Sequence, residues 1–274
     1  MPPCVHPRLT RRDGQLVCAD CAAPLTVADT LDRAAPSPWR WRQAHSAVAA
    51  GLAIAIAVRW FDGLPTFIVD MLGVLAHEIG HAAVALAVAR PALPSFDLFH
   101  GGGVTHIGER SMLVLLAYAG GALWLGSRLR DRPRLLIGLG VAATIYALAI
   151  WLEWEKVGIA GAGIVANALL GGVFVYRALT GSGVVHGGVE RWLYAIVGWM
   201  LILQAIGQPW GVIHDAEARE LYLEGKAGLD NDMVVISDEH GWELESVAWW
   251  LVAITGSVPG VALALGTWRG ERAA

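Results

Sequence analysis

Seven apolar runs dominate this chain and restrict the folds open to it. Each run is long enough to cross the hydrocarbon core of a bilayer as a helix. The runs cover residues 44–61, 64–90, 111–127, 134–152, 157–179, 191–210 and 247–268. Hydrophobic residues make up 55% of the 274 positions and charged residues only 16%, a balance that is too apolar for a soluble domain of this size. We therefore predict an all-α polytopic membrane protein with six to seven transmembrane helices over residues 41–274.

The tryptophans support this prediction, because most of them lie near the ends of the apolar runs, where membrane helices carry interfacial anchors. Glu153 and Glu155 lie beside Trp151 and Trp154 and are expected at the same interface. The net charge of −4 gives no support for nucleic-acid binding, so we expect no nucleic acid among the partners. The apolar runs make the lipid bilayer the expected environment. The polar first forty residues predict no cleavable signal peptide. Richness in alanine, glycine and arginine is typical of bacteria with GC-rich genomes, which makes the bacterial inner membrane the expected location.

Residues 1–40 differ from the rest of the chain and contain all three cysteines. A CxH pair followed by a CxxC pair offers four ligands, which is enough to close a tetrahedral structural zinc site. These candidate ligands are Cys4, His6, Cys18 and Cys21. Asp13-Gly14 lies midway between the pairs and is a turn signal that would bring them together. We predict a cytoplasmic segment similar to a zinc knuckle that folds around a structural Zn²⁺; the alternative is a disordered tail with reduced thiols.

A motif inside the second apolar run carries chemistry. His77 and His81 are four residues apart, so their imidazoles lie on one face of a helix at the spacing that a zinc ion needs from two nitrogen ligands. Glu78 is close enough to reach a water on that zinc without being a ligand. An ionisable group in the middle of a membrane helix costs on the order of 3 kcal/mol, which favours a functional reason for its presence. We predict a catalytic Zn²⁺ with Glu78 as the base; the alternative is histidines satisfied by neighbouring helices, with Glu78 paired to an arginine.

The loop after this helix, residues 91–110, is too polar and too rich in glycine for a helix. Its apolar residues flank three consecutive glycines, a pattern that predicts a short hairpin or re-entrant loop. An extended substrate segment could pair with the hairpin edge over residues 94–107 by strand addition. The predicted substrate-binding residues are Gly102, Gly103 and Val104. His100 and His106 are candidates either for stabilising an oxyanion or for a polar turn that touches lipid headgroups.

Three stretches of the chain resemble the site-2 protease family of intramembrane zinc metallopeptidases, most closely its compact bacterial branch without PDZ domains. They are AHEIGHA at 76–82, GGGVTHIGE at 101–109 and AYAGGALWLG at 117–126. The resemblance covers roughly residues 64–130 and implies hydrolysis of peptide bonds in or near transmembrane segments of substrate membrane proteins. It also implies a re-entrant hairpin after the HExxH helix and a third zinc ligand, an aspartate on a later membrane helix. The usual Asn-Pro…Asp-Gly form of that ligand is absent here, and the stretch around Asn167 is either similar to another family segment or simple helix packing.

A catalytic zinc site needs a third protein ligand beside the two histidines. Asp215 follows the sixth apolar run in a helical, partly apolar context. Gln204 and Gln208 come before it and suggest a helix that opens at a polar cavity. Asp215 is therefore the predicted third ligand. Asp238 and Asp232, in a stretch that looks less helical, are the alternatives.

Two clusters of arginines set a problem of orientation. The positive-inside rule puts both the first 42 residues and the loop at 128–134 in the cytoplasm. Counting full spans between them puts that loop outside instead. One of the early segments must therefore be re-entrant or of half length, or the span count is wrong by one. With both clusters inside, residues 211–246 lie on the outer side or fold back into the membrane.

Other functions are open to a zinc-binding membrane protein that is not a protease. A transporter or a catalytically inactive relative that acts as a membrane chaperone is the main alternative. Pure binding does not need a base beside two ligands, so Glu78 argues against both. A transporter would also carry polar residues in several spans, and most spans here have none. A structural membrane anchor for the N-terminal segment would leave the HExxH helix unexplained.

Overall fold

The computed structural model describes most of the chain. The described residues are 9–12, 15–18, 41–61, 63–97, 102–185, 188–225 and 230–273. Within them the protein is mostly helical, as the apolar runs predict. The helices are α1 (Trp41–Trp60), α2 (Leu64–Ala87), α3 (Met112–Arg128), α4 (Pro133–Trp151), α5 (Trp154–Thr180), α6 (Gly188–His214), α7 (Ala216–Glu224), α8 (Asp232–His240) and α9 (Leu244–Ala273). The strands are β1 (Leu9–Arg12), β2 (Gln15–Cys18), β3 (Ala92–Asp97) and β4 (Gly102–Ile107).

Among the described residues, five helices are long and apolar enough to cross a membrane. They are α2, α4, α5, α6 and α9. Shorter apolar helices cover Ala44–Trp60 of α1 and Met112–Arg128 of α3. Each apolar run of the sequence thus lies on a helix, and the architecture is that of a helical membrane protein with several spans.

The centre of the bundle is built by α5 and α6, with α2 and α9 packed against them. Small residues let these helices approach closely, as in other membrane bundles. A Cβ added to Gly171 of α5 would lie 2.6 Å from the carbonyl oxygen of Gly198 in α6. A Cβ added to Gly80 of α2 would lie 2.5 Å from the carbonyl oxygen of Ala162 in α5. The backbone of α2 is therefore pressed against α5 beside the HExxH motif.

Helix α1 enters the bundle at the end where α5 finishes. Ala44, near the start of α1, is buried in one cluster with Leu179 at the carboxyl end of α5. Ala55, eleven positions later, is buried with Val69 of α2 and with Met200, which lies near the middle of α6. Ala55 of α1 therefore lies at about the mid-depth of the bundle.

The chain after α2 forms the predicted hairpin. β3 and β4 pair antiparallel, with Ala92 opposite Ile107 at one end and Asp97 opposite Gly102 at the other. Both strands contact α2. The pairing continues beyond the strands, because the Gly108 N–H donates to the Pro91 carbonyl at 2.8 Å. Helices α3 and α4 follow at the periphery, and no residue of either helix is buried.

The N-terminal segment contains a second hairpin. β1 and β2 pair antiparallel, with Leu9 opposite Cys18 and Arg12 opposite Gln15. The pairing brings the two described strands of the segment side by side. Asp13 and Gly14 and the predicted ligands Cys4, His6 and Cys21 lie outside the described residues, so the structural zinc site stays a prediction.

Candidate metal centre

The polar side chains of α2 form a stripe on one helix face. Asp70 and His77 are about two helical turns apart, and His77 and His81 are about one turn apart. The three side chains therefore lie on the same side of the helix. This stripe faces a cavity of about 970 Å³. α5, α6 and β4 form its other walls, together with residues from α7 and α8. Gln204 and Gln208 of α6 line it, which confirms that α6 borders a polar cavity.

Three side chains in this cavity bring ligand atoms together. The Asp232 Oδ2 lies 2.9 Å from the His77 Nε2 and 3.3 Å from the His81 Nε2. One ligand atom from each of the three residues falls within 4.8 Å of the others. Zinc bonds of about 2.0–2.2 Å in a tetrahedral arrangement put neighbouring donors about 3.3 Å apart. Two imidazoles and one carboxylate at these distances fit a catalytic zinc site with an open fourth position.

The structure corrects the predicted third ligand. Asp215 is exposed and lies at the amino terminus of α7, where its Oδ1 accepts hydrogen bonds from the N–H groups of Glu217 at 2.9 Å and Ala218 at 3.3 Å. Asp215 therefore caps a helix and does not join the histidines. Asp238 is exposed on α8. Asp232, named only as an alternative, is the carboxylate that meets His77 and His81.

Asp232 reaches the histidines because α8 docks on α5. The stretch 230–245 looked less helical in the sequence, yet Asp232 opens a regular helix. Met233 is 0% exposed and Ile236 is 4% exposed, and they are buried in one cluster with Ile164 of α5. An apolar run inside an acidic segment was the available signal for this docking. The acid that directly precedes the run, Asp232, is carried onto the bundle with it.

Two further contacts hold the start of α8 in place. The Tyr222 hydroxyl accepts a hydrogen bond from the Met233 N–H at 3.1 Å, and the Asn231 side chain donates to the Tyr222 carbonyl at 2.6 Å. Burial raises the pKa of the Tyr222 phenol far above its usual value, so this hydroxyl stays protonated. Burial by itself would raise the pKa of Asp232, but the two imidazoles beside its carboxylate hold that pKa below its usual value. The carboxylate of Asp232 is therefore ionised at neutral pH and could offer an oxygen atom to a metal ion.

Helix α5 orients His81 and leaves room beside it. The His81 Nδ1 lies 2.6 Å from the Ile159 carbonyl oxygen, and since a carbonyl only accepts, this nitrogen carries the hydrogen. The Nε2 of His81 is then available to bind a metal ion, and the hydrogen bond fixes the plane of its ring. Opposite lies Gly163, where a Cβ would stand 2.5 Å from the His81 Nε2 and 2.6 Å from the His77 Nε2. Any larger residue at this position would fill the space in front of the ligand nitrogens.

Glu78 is held by the hairpin. It is only 5% exposed, and its Oε2 lies 2.6 Å from the Thr105 hydroxyl of β4, which donates to it. A Cβ added to Gly103 would lie 2.6 Å from the Glu78 Cγ, so β4 passes directly over this side chain. Among the described residues, Glu78 is bonded by a threonine rather than paired to an arginine. Its carboxylate lines the same cavity as the two histidines.

The remaining predicted residues divide into two groups. Gly102, Gly103 and Val104 all line the cavity, beside the histidines and Glu78. His106 is exposed and lies outside the cavity wall that the described residues form, and His100 lies outside the described residues. Asn167 is buried in α5, where its side-chain amide donates to the Gln204 Oε1 at 3.2 Å, and both line the cavity.

No protein-family model matches the chain, and neither a curated protein nor a solved structure does. What this centre does must therefore follow from its donor atoms, its cavity and the hairpin that borders it. All three are parts of one site, because the ligand atoms, Glu78 and the edge of β4 face the same space.

Proposed function

We propose that this protein is an intramembrane zinc metalloprotease that hydrolyses peptide bonds in or near the transmembrane segments of other membrane proteins. The observation that carries the proposal is that Asp232 of α8 meets His77 and His81 of α2. These histidines and the adjacent Glu78 lie on an apolar helix that is long enough to span a membrane. A bound zinc ion would supply Lewis acidity, which polarises a scissile carbonyl and lowers the pKa of a water molecule. A site for zinc storage or transport has no need of a buried base next to its ligands.

Glu78 is the general base of this proposal. Its carboxylate accepts a proton from the attacking water and then donates that proton to the leaving amine. The Thr105 hydroxyl occupies Oε2, which restricts the rotation of the carboxylate and leaves Oε1 for the water. The hydrogen bond from His81 to Ile159 keeps the Nε2 of His81 aimed at the cavity.

Strand β4 is the proposed binding edge for the substrate. In the described part of the chain it pairs with β3 alone, so its second edge is open, and its residues 102–105 line the cavity. A peptide bond within a helix is shielded by the hydrogen bonds of that helix, so a transmembrane substrate must unwind before it is cut. Pairing with β4 would replace the hydrogen bonds that unwinding breaks.

The proposed arrangement has six to seven membrane helices and a re-entrant β3–β4 hairpin in a bacterial inner membrane. Ala44 packs near the carboxyl end of α5. In the proposed arrangement α2, α3 and α4 alternate in direction, which puts the loop at 128–134 at the same end of the bundle. A helix α1 that enters from this end and turns into α2 before it reaches the opposite end would supply the exception that the arginine clusters require. The N-terminus and residues 128–134 are then both cytoplasmic, and α7 and α8 fold back into the bundle from the opposite end.

Labelling of single cysteines with a membrane-impermeant maleimide in intact cells tests this arrangement. In a background without the native cysteines, we expect Glu220→Cys on α7 to react and Arg130→Cys to react only after the membrane is permeabilised. A tag at the N-terminus should be protected from external protease like position 130. The orientation would be contradicted if Arg130→Cys reacted in intact cells, or if Glu220→Cys reacted only after permeabilisation.

Zinc removal tests the function itself. We expect the purified full-length protein to hold two zinc ions per chain, and the Cys18→Ser/Cys21→Ser variant to hold one, at His77, His81 and Asp232. Chelation should stop cleavage of single-pass test substrates, and added zinc should restore it, because the Lewis acid is required for the reaction. Cleavage that continues at full rate after the bundle site has been emptied would rule out the proposed mechanism.

Loss of the hydrogen bond from Thr105 to Glu78 should slow cleavage less than loss of the zinc ion does. Thr105→Val removes the hydroxyl at nearly constant volume, and hydrogen bonds to charged groups contribute about 1.5–3 kcal/mol, so we expect kcat to fall about tenfold or more. Thr105→Ser keeps the donor and is the matched control, with kcat near that of the wild type. Zinc content should be unchanged in both variants. An unaltered rate in Thr105→Val would mean that this contact does not orient the base.

A further inference from the structure

We propose that Glu155 is a positioning residue that clamps the base of the β3–β4 hairpin and so sets where the edge of β4 lies in the cavity. This inference rests on the proposed function, since it concerns the edge to which a substrate would bind. The sequence places Glu155 at the membrane interface beside Trp154. The structure instead buries its side chain, which is only 2% exposed.

Glu155 joins both ends of the hairpin. Its Oε1 accepts a hydrogen bond from Arg90 at 3.1 Å and another from Arg110. Arg90 comes two positions before β3 begins, and Arg110 comes three positions after β4 ends. A single carboxylate in the first turn of α5 therefore holds the two chain segments that enter and leave the hairpin.

The backbone at the base continues the same arrangement. The Ser111 N–H donates to the Ala89 carbonyl at 2.7 Å, next to the bond between Gly108 and Pro91. Ala89 is fully buried and has a positive φ of 62°, which ends α2 and turns the chain toward β3. These bonds keep the two segments together, but they do not attach them to α5. The ion pairs of Glu155 provide that attachment.

The energetics favour an orienting role over a purely stabilising one. Burying a carboxylate between guanidinium groups carries a desolvation cost that offsets much of the attraction, so apolar residues would serve stability as well. Guanidinium groups bind carboxylates in a directional geometry, which constrains the position of both partners. Here the constrained partners flank the β3–β4 hairpin, and Thr105 of β4 in turn holds Glu78. A shift of the hairpin would therefore move the substrate edge first and the base with it.

Steady-state kinetics of Glu155→Gln with a single-pass substrate test the proposal. We expect KM to rise about tenfold, with a smaller fall in kcat, because a displaced edge weakens substrate binding. A variant that merely misfolds in part has fewer active molecules, which lowers the apparent kcat and leaves KM unchanged. Zinc content should remain at the wild-type value, since His77, His81 and Asp232 do not contact Glu155. The control is Glu245→Gln, which breaks a half-exposed ion pair with Arg219 away from the hairpin and should leave KM unchanged.

Hydrogen exchange gives a readout that needs no activity. In Glu155→Gln we expect the amides of residues 102–107 to exchange at least about tenfold faster than in the wild type, while α5 keeps its protection. Arg110→Gln removes one of the two bonds and should show both effects more weakly, which covers the case that Glu155→Gln does not fold. Unchanged exchange, or faster exchange with an unchanged KM, overturns the positioning role. If the wild type cleaves nothing, the proposed function fails, and the exchange data alone then decide whether Glu155 clamps the hairpin.

Discussion

Glu78→Gln should abolish cleavage while the bundle site keeps its zinc. The amide is as large as the carboxylate and can still accept a hydrogen bond from Thr105, but it cannot take a proton from water at neutral pH. General acid–base groups typically contribute 10²–10⁴-fold, so we expect cleavage to fall by roughly that factor. The measurement pairs co-expression of a single-pass substrate with metal analysis of the purified variant.

Glu243→Gln is the matched control, because it makes the same change of charge at an exposed carboxylate outside the cavity. Its cleavage and zinc content should equal those of the wild type. Undiminished cleavage in Glu78→Gln would show that the carboxylate is not the base. Loss of zinc in that variant would give Glu78 a structural part in the centre instead.

Asp232→Asn should empty the bundle site, whereas Asp215→Asn should leave it intact. The amide has no negative charge to offer the ion, and we expect zinc affinity to fall by more than about 100-fold, beyond what second-sphere changes usually cost. Cleavage should be lost with the metal. Asp215→Asn alters the cap of α7, and because asparagine is about as good a cap as aspartate, its effect on stability should be small.

Zinc per chain is measured in the Cys18→Ser/Cys21→Ser background, so that only the bundle site is counted. Equal zinc in Asp232→Asn and the parent protein would remove Asp232 from the ligand set. If Asp215→Asn lost its zinc while Asp232→Asn kept it, Asp215 would be the third ligand, as the sequence predicted. The two variants carry the same substitution on the same segment of the chain, so general effects of lost charge cancel between them.

The local parts of the fold and site were predictable from sequence. Apolar length alone places the helices, and the spacing of His77 and His81 implies a shared face because the period of a helix is a local property. The run of glycines between apolar residues likewise indicated the β3–β4 hairpin. Gln204 and Gln208 pointed correctly to a polar cavity beside α6.

The partners that come from distant parts of the chain were not predictable in this way. Asp232 meets His77 only because Met233 and Ile236 dock α8 on α5, and neighbours in sequence do not reveal such docking. Glu155 looked interfacial because tryptophans surround it, yet two arginines from the ends of the hairpin bury it. A carboxylate has the same local signature in a solvated loop, as a ligand or in a buried ion pair, so its role becomes visible only in the folded structure.

The division of the candidate ligands between α2 and α8 also sets when the proposed centre can form during synthesis of the chain. Asp232 is made about 150 residues after His81. At a synthesis rate of roughly 5–20 residues per second, the nascent chain would carry two histidines and a base for on the order of ten seconds before the third donor exists. A ribosome that stalls before position 232 would release a product with a base and no complete centre. Under the proposed function, a copy that ends before position 232 would lack the third donor and would not be able to cut other membrane proteins.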